Sequence, residues 1–485
     1  MQDYDVIIIG GGIVGTSISR ELSRYKIKTL LLEKEEELAF GVSKSNSGII
    51  HPGTQNPPGS LKGKLCVQGN SLTRKLAKEL GLDLYRIGEL IVAFTAEDIL
   101  RLNVLKKEAQ KLGVSGLRIV DSKWLKKNEP NLNKDALGAL YAPTACVISP
   151  YRWVYDLAKN AAQNGVEIYT SYEVKDIQYL ACSERNRKKR FEIVTDKGIF
   201  RAGYLINAAG LLADKVSNMA GIDNFKIKAC KGEEFMLDMK KAYLTKHLLF
   251  PLPTKNSKGI LVTRTADGNP MIGPTAEDVD DKEDLSTSEE GRKKVIEGAK
   301  KLVPSIDEKD IIAYFSGLRP VAGADFIVRH EHKVSGFINV VGIQSPGLTA
   351  APAIAFMVKD ILRKNGLKLK KKLFFKKYRK KTIHLFSLPF KQSKKLIKKD
   401  ASYGDIVCRC EMVSAKEVED AIKTGAKTMD GIKFRTRAQA GRCHGSFCTT
   451  RIMKMLSDQT GKPVRETTKR GEGSEIVKKE RCNDN

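Results

Sequence analysis

Residues 6–33 constrain this chain more than any other stretch. Val6-Ile7-Ile8-Ile9 is an apolar strand, Gly10-Gly11-Gly12-Ile13-Val14-Gly15 is a glycine turn, a helix follows to about Arg24, and Thr29 to Leu32 is a second strand. In such a βαβ unit Gly10 makes the turn, Gly12 lets backbone approach a pyrophosphate, and Gly15 lets helix pack on strand. Ile13 and Val14 open the helix, whose N-terminus faces the phosphates. Glu33, followed by Lys34, ends the second strand about 20 residues on, where a carboxylate accepts ribose hydroxyls. A mere tight turn needs neither the second strand nor the acid. The unit predicts a dinucleotide on a parallel α/β sheet.

Similar glycine-punctuated strands return at Tyr204–Gly210 and Phe337–Gly342, each before a helix-compatible stretch, and are expected in the same sheet. Between them, residues 86–144 and 226–324 have alternating and irregular patterning that predicts a largely antiparallel substrate lobe. The fold class expected is therefore α/β: a Rossmann-like core (1–362) built from about 1–85, 145–225 and 325–362, interleaved with that lobe. With 485 residues, 41% of them hydrophobic, the chain has room for further units. A basic linker (363–400), a small cysteine-bearing domain (401–460) and a polar tail (461–485) complete the reading.

The formal net charge of +28 is mostly local, since sixteen Lys and Arg and no acid lie between Arg363 and Lys399. That distribution argues against a nucleic-acid-binding fold. Phe374, Phe375, Tyr378, Leu385 and Phe386 are interleaved with those lysines, so the stretch reads either as a solvated linker or as peripheral contact with an anionic membrane face. No run of eighteen apolar residues and no leader-like start is seen, which leads us to expect a cytoplasmic protein.

Five of nine cysteines, Cys66, Cys146, Cys182, Cys230 and Cys482, are scattered singly, and Cys66 and Cys146 read as packing residues. The other four form Cys408-x-Cys410 and, after thirty-two intervening residues, Cys443-x-x-x-x-Cys448. Four thiolates at paired short spacings close a zinc site or hold a 2Fe-2S cluster, and spacing alone does not separate the two.

Lys44-Ser45-Asn46-Ser47-Gly48-Ile49-Ile50-His51-Pro52-Gly53, with Leu61 to Cys66, resembles the flavin-side loop of the D-amino-acid-oxidase-like FAD superfamily, most closely L-2-hydroxyglutarate dehydrogenases. Ser316-Gly317-Leu318-Arg319-Pro320 resembles the arginine motif of FAD-dependent glycerol-3-phosphate dehydrogenases. The likeness, over residues 1 to about 360, implies FAD. It implies Gly10, Gly12, Gly15 and Glu33 on the ADP half, Val174 near adenine, and Ala209 and Gly210 near the pyrophosphate and ribitol. Gly342-Ile343-Gln344-Ser345-Pro346-Gly347-Leu348-Thr349 would bring N–H groups and a helix start to the flavin pyrimidine edge. The C-terminal cysteine run resembles the bacterioferritin-associated-ferredoxin-like domain, which implies 2Fe-2S over zinc. That domain is found fused to anaerobic glycerol-3-phosphate dehydrogenase large subunits.

His51 either takes the substrate's hydroxyl proton or only hydrogen-bonds flavin or chain. Arg319 reads as an anchor for a phosphate or carboxylate, against a structural ion pair, with Arg264 and Lys231 as weaker anchors. Flavin stores two electrons and a 2Fe-2S cluster takes one at a time, so the fusion implies an exit to a partner subunit or quinone. The expected reaction oxidises sn-glycerol 3-phosphate to dihydroxyacetone phosphate. His51-Pro52-Gly53, where glycerol-3-phosphate enzymes usually carry His-Gly-Gly, keeps L-2-hydroxyglutarate open, and amine oxidation stands third. An iron-sulfur transfer protein with a vestigial flavin fold is disfavoured by the intact glycine motif and Glu33.

Overall fold

A computed structural model describes residues 2–180, 190–254 and 258–477. Cys182, Cys482 and the end of the tail lie outside them. The chain divides into two units, Met1–Leu32 with Ala39–Arg379, and Glu33–Leu38 with Lys380–Asn485.

In the first unit β1 (Gln2–Ile9) turns into α1 (Ile13–Leu22) and then β2 (Thr29–Glu33). The chain goes on through α2 (Leu61–Leu80) and β3 (Glu89–Ala93), and returns as β4 (Gly198–Asn207). It leaves again through β5 (Lys228–Leu237) and β6 (Ile311–Val321), and finishes with β7 (Phe337–Val341) and α3 (Gly347–Lys364). Strands β7, β4, β1 and β2 are parallel neighbours, with Leu205 opposite both Ile7 and Phe337, and Ile7 opposite Leu30. Strands covered on both faces need apolar residues at successive positions, which is why Val6–Ile9 reads as one run. All ten residues of α1 are buried.

The second lobe is a nine-stranded sheet with strands drawn from residues 89–142 and 228–321. It is antiparallel except where Leu248–Pro251 runs parallel to β3. A small third sheet pairs Ile49–Ile50 with Cys146–Ile148. That pairing holds the loop leading into His51.

The expected linker needs correction. Residues up to Arg379 form a strap on the first unit, because backbone bonds tie Lys370 and Lys372 to Lys26 and Arg24. Phe375 lies under the guanidinium groups of Arg20 and Arg24, and buried Arg379 pairs with Asp156 at 2.7 Å. Hydrophobicity alone gives no sign that a lysine-rich stretch is held this way. The first compact unit thus runs on to Arg379, and within the second unit Leu385 is buried as well.

The second unit has its own core, including Val407, Val418, Ile432, Ile452 and Leu456. Two of its helices carry side-chain caps, with Ser414 and Glu417 forming a capping box on Ala415–Lys423 and Thr428 accepting from Gly431 at the next helix.

Candidate functional site

The glycine motif sits where open parallel sheets bind ligands, at the carboxyl ends of β1 and β4. Gly10 has φ +110°, and a Cβ there would stand 2.4 Å from the Ala208 carbonyl oxygen. At Gly15 a Cβ would stand 2.0 Å from the Gly10 oxygen, so neither position admits a side chain. Gly12 precedes α1 without capping it through a side chain, while the Ile13 N–H is taken by Ser43 Oγ at 2.9 Å. Ala209 and Gly210 follow β4 directly beside Gly10. This is a cradle that fits a dinucleotide pyrophosphate. Glu33 ends β2 and accepts from the Glu35 N–H, Lys34 pairs with Glu35, and Val174 is buried with Leu30 and Leu32.

The loop from Ser45 to Gly48 folds on itself, the Asn46 amide reaching the Ser43 carbonyl at 2.9 Å and its oxygen accepting from the Gly48 N–H at 3.0 Å. Ser47 hydrogen-bonds Glu234 on β5, and Gly317 on β6 passes so close to Ser45 that a Cβ would sit 2.3 Å from its oxygen. At the start of α3, beyond Gly342, Ile343, Ser345, Gly347 and Leu348, the Thr349 hydroxyl accepts the His51 N–H at 2.9 Å and faces the Ile49 carbonyl at 3.3 Å. Gly69 lets α2 and α3 approach here, since a Cβ on α2 would lie 2.0 Å from the Thr349 carbonyl oxygen. The flavin-side loop and the helix start are one hydrogen-bonded assembly.

His51 is largely buried, its ring edge-on to Phe250 at 6.2 Å and its Nδ1 4.0 Å from Glu89 Oε2. Burial, with the charge of Lys258, holds its imidazole well below the ordinary histidine range. Burial pushes the Glu89 carboxyl up to about 7, against a hydrogen bond from Thr54 and the charge of Lys258. Glu234 is likewise pushed up to about 7 by burial, opposed by Ser47 and by Arg319. Burial lowers the Lys258 ammonium, and its Nζ lies 3.5 Å from Ser345 Oγ. Arg319 directs its guanidinium to the Thr275 carbonyl at 3.0 Å and the Cys230 sulfur at 3.5 Å, neither of them a carboxylate. Gly232 leaves room for it.

His51 and Arg319 thus share one electrostatic neighbourhood with Lys258, Glu89 and Glu234, none of which the sequence singled out. Glu89 carried a faint signal, an acid heading the apolar run Leu90-Ile91-Val92-Ala93. The weaker anchors fall away. Lys231 follows Cys230, the partner of Arg319, so it faces the other side of the sheet, where it pairs with Asp284 at 2.8 Å. Arg264 ends its strand exposed to solvent. Cys66 and Cys146 are fully buried, and burial pushes their thiols up to about 12 and 11, as suits packing residues.

In the second unit the four clustered thiols stand as two pairs. Cys410 and Cys443 lie 3.4 Å apart and Cys408 shares a thiol hydrogen bond with Cys448, although among the described residues no three side chains converge as a metal site. Two thiolates on one tetrahedral ion stand about 3.8 Å apart, so Cys410 and Cys443 are close to the spacing of a shared iron. Backbone N–H groups of Gln439 and Glu411 point at the Cys408 sulfur, and those of Gly445 and Phe447 at Cys443. Such donors favour thiolates, and the donor set fits a cluster.

The fold and site define a redox protein that combines a flavin-type dinucleotide cradle with an iron-sulfur unit. Residues 5–361 match the FAD dependent oxidoreductase (DAO) family, and the chain belongs to it. Residues 406–458 match the BFD-like 2Fe-2S binding domain, so the cofactors are FAD and 2Fe-2S. A glycerol 3-phosphate dehydrogenase of Caloramator mitchellensis is 40% identical over 98% of both chains. A dithionite-reduced L-alpha-glycerophosphate oxidase of Mycoplasma pneumoniae with FAD bound superposes with TM-score 0.73 at 31% identity, covering 78% of this chain and 99% of that one. The mitochondrial L-2-hydroxyglutarate dehydrogenase of Bos taurus is 34% identical over 57% of this chain and 61% of its own length. No helix among the described residues is long and apolar enough to cross a membrane.

Proposed function

We propose that this protein oxidises sn-glycerol 3-phosphate to dihydroxyacetone phosphate and sends the electrons through its 2Fe-2S cluster to a partner subunit or quinone. The observation that carries this reading is the cationic pair, Arg319 and Lys258, in the same neighbourhood as His51, in a chain alike over its whole length to a glycerol 3-phosphate dehydrogenase. Bound FAD, held by the Gly10–Gly15 turn, Glu33 and the start of α3, supplies the hydride acceptor. Arg319 and Lys258 bind the phosphate, Arg319 through its planar fork and Lys258 as a point charge. His51 is neutral at physiological pH, and Nε2 takes the hydroxyl proton. Burial of Phe250, Thr349 and Glu89 around it excludes water from that transfer.

L-2-hydroxyglutarate is the second reading, favoured by Pro52 after His51. Anaerobic stopped-flow bleaching of the flavin, with each substrate offered separately, tests both. Rapid bleaching by glycerol 3-phosphate alone is expected, and bleaching by L-2-hydroxyglutarate alone reverses the assignment. The strap adds a location to the proposal. Leu373 and Phe374 are 86% and 92% exposed beside Lys370, Lys371, Lys376 and Lys377, a combination that supports contact with an anionic bilayer face.

A further inference from the structure

We infer that Glu89 is the positioning residue for His51, a buried carboxylate that closes on imidazole Nδ1 when Nε2 takes the substrate proton. The inference rests on the reading of His51 as base. Glu89 heads β3, between Ala142 and Leu248 on its neighbouring strands, and is 0% exposed. A carboxylate among such residues is costly unless its oxygens are occupied. Oε1 is occupied by the Thr54 hydroxyl. Oε2 has no hydrogen-bond partner and lies 4.0 Å from His51 Nδ1.

The histidine is fixed from the other direction. Its N–H is held by Thr349, and its carbonyl accepts the Asn70 amide at 3.1 Å, so the ring has little freedom besides its own torsions. With Nδ1 turned towards Glu89, Nε2 is the nitrogen left for the substrate. The gap of 4.0 Å is beyond hydrogen-bond range, so in the resting pair the carboxylate biases the ring proton towards Nδ1 through its charge and not through a direct bond. Charging the ring changes that. The groups facing the pair are Lys258, whose charge acts on both His51 and Glu89, and the Cys66 thiol on α2, which faces Glu89. An imidazolium formed here has the Lys258 cation beside it, and Glu89 is the acid that opposes it.

The step balances without a further reagent. The substrate O–H bond breaks and its proton bonds to Nε2, while Nδ1–H donates to Glu89 Oε2. The carbon's hydride carries both electrons to FAD, and the proton on His51 later leaves to solvent. A third group that orients the base and offsets its charge is a general device of proton-transfer sites.

Two measurements on the full-length holoprotein test the assignment. In E89Q, anaerobic flavin bleaching should slow about 100-fold at pH 8 with substrate affinity changed less than about threefold, and the deficit should shrink below pH 6. The direction follows because Glu89 is an anion above about 7 and a neutral acid, like the amide, below it. E89D should recover part of the rate at pH 8. A slower E89Q with the same deficit at every pH, or an E89Q equal to wild type, overturns the assignment. The second measurement needs no substrate, so it stands even if the wild type is bleached by neither candidate, an outcome that would defeat the substrate reading by itself. Ring-nitrogen NMR of His-labelled protein, with His51 assigned from H51N, should place the ring proton on Nδ1 in wild type and lose that preference in E89L. The same tautomer in both would also overturn it.

Discussion

On the proposed reading Arg319 and His51 act at different moments of one turnover, and their substitutions should separate. Arg319→Ala removes a fork that binds the anionic end before and during reaction, so KM for glycerol 3-phosphate should rise at least about tenfold with kcat largely kept. His51→Asn removes the proton acceptor, so flavin reduction should slow about 100-fold or more at saturating substrate, as read by stopped flow. Equal effects of both on KM alone would contradict the division of roles. Glu234 gives a pH prediction. Its carboxyl is raised to about 7, so the stability it contributes is fully present below the unfolded value near 4.5 and is lost as pH rises through 7. Glu234→Gln should therefore raise thermal stability relative to wild type more at pH 8 than at pH 5, measured by unfolding midpoint. The sequence singled out His51 and Arg319 because each sits in a short recognisable run. It gave no such reason to single out Lys258, Glu89 and Glu234, because each reaches this neighbourhood from a separate segment and only the tertiary fold brings them together.

At the scale of elements, the parallel strands were legible because burial on both faces leaves uninterrupted apolar runs. Their partners were not, since no local pattern tells Leu205 that it will lie opposite Ile7. The strap shows the opposite failure. Its lysines dominate composition, while the residues that hold it, Phe375 and Arg379, are two among many. A segment anchored this firmly, yet offering Leu373 and Phe374 to solvent, presents them as a fixed tip. Replacing both by Ser should reduce co-sedimentation with vesicles rich in anionic lipid several-fold, leaving flavin content and bleaching unchanged. Binding unaffected by the double substitution and by neutralising Lys376 and Lys377 would remove the membrane contact.

Across the whole molecule, the cluster unit was the most legible part, because its four thiols and their turns fall within about forty residues. The substrate lobe was the least, being assembled from two distant stretches. The two redox centres are separable by substitution. Cys410→Ser should abolish the cluster's EPR signal while the flavin is still bleached by substrate, with electron delivery beyond the flavin lost. A variant that keeps full delivery to the acceptor would show that the cluster lies off the route.

The six residues Glu33–Leu38 run directly on from β2, yet they group with the cluster-bearing unit, where buried Glu37 accepts from the Lys427 N–H at 2.7 Å and from Arg435 at 2.8 Å. A carboxylate from far back in the chain thus closes the turn that leads into the helix Met429–Thr436 and steadies its last turn through Arg435. Losing it would take one buried acceptor from two donors at once, so the order of that helix answers to a residue almost four hundred positions upstream.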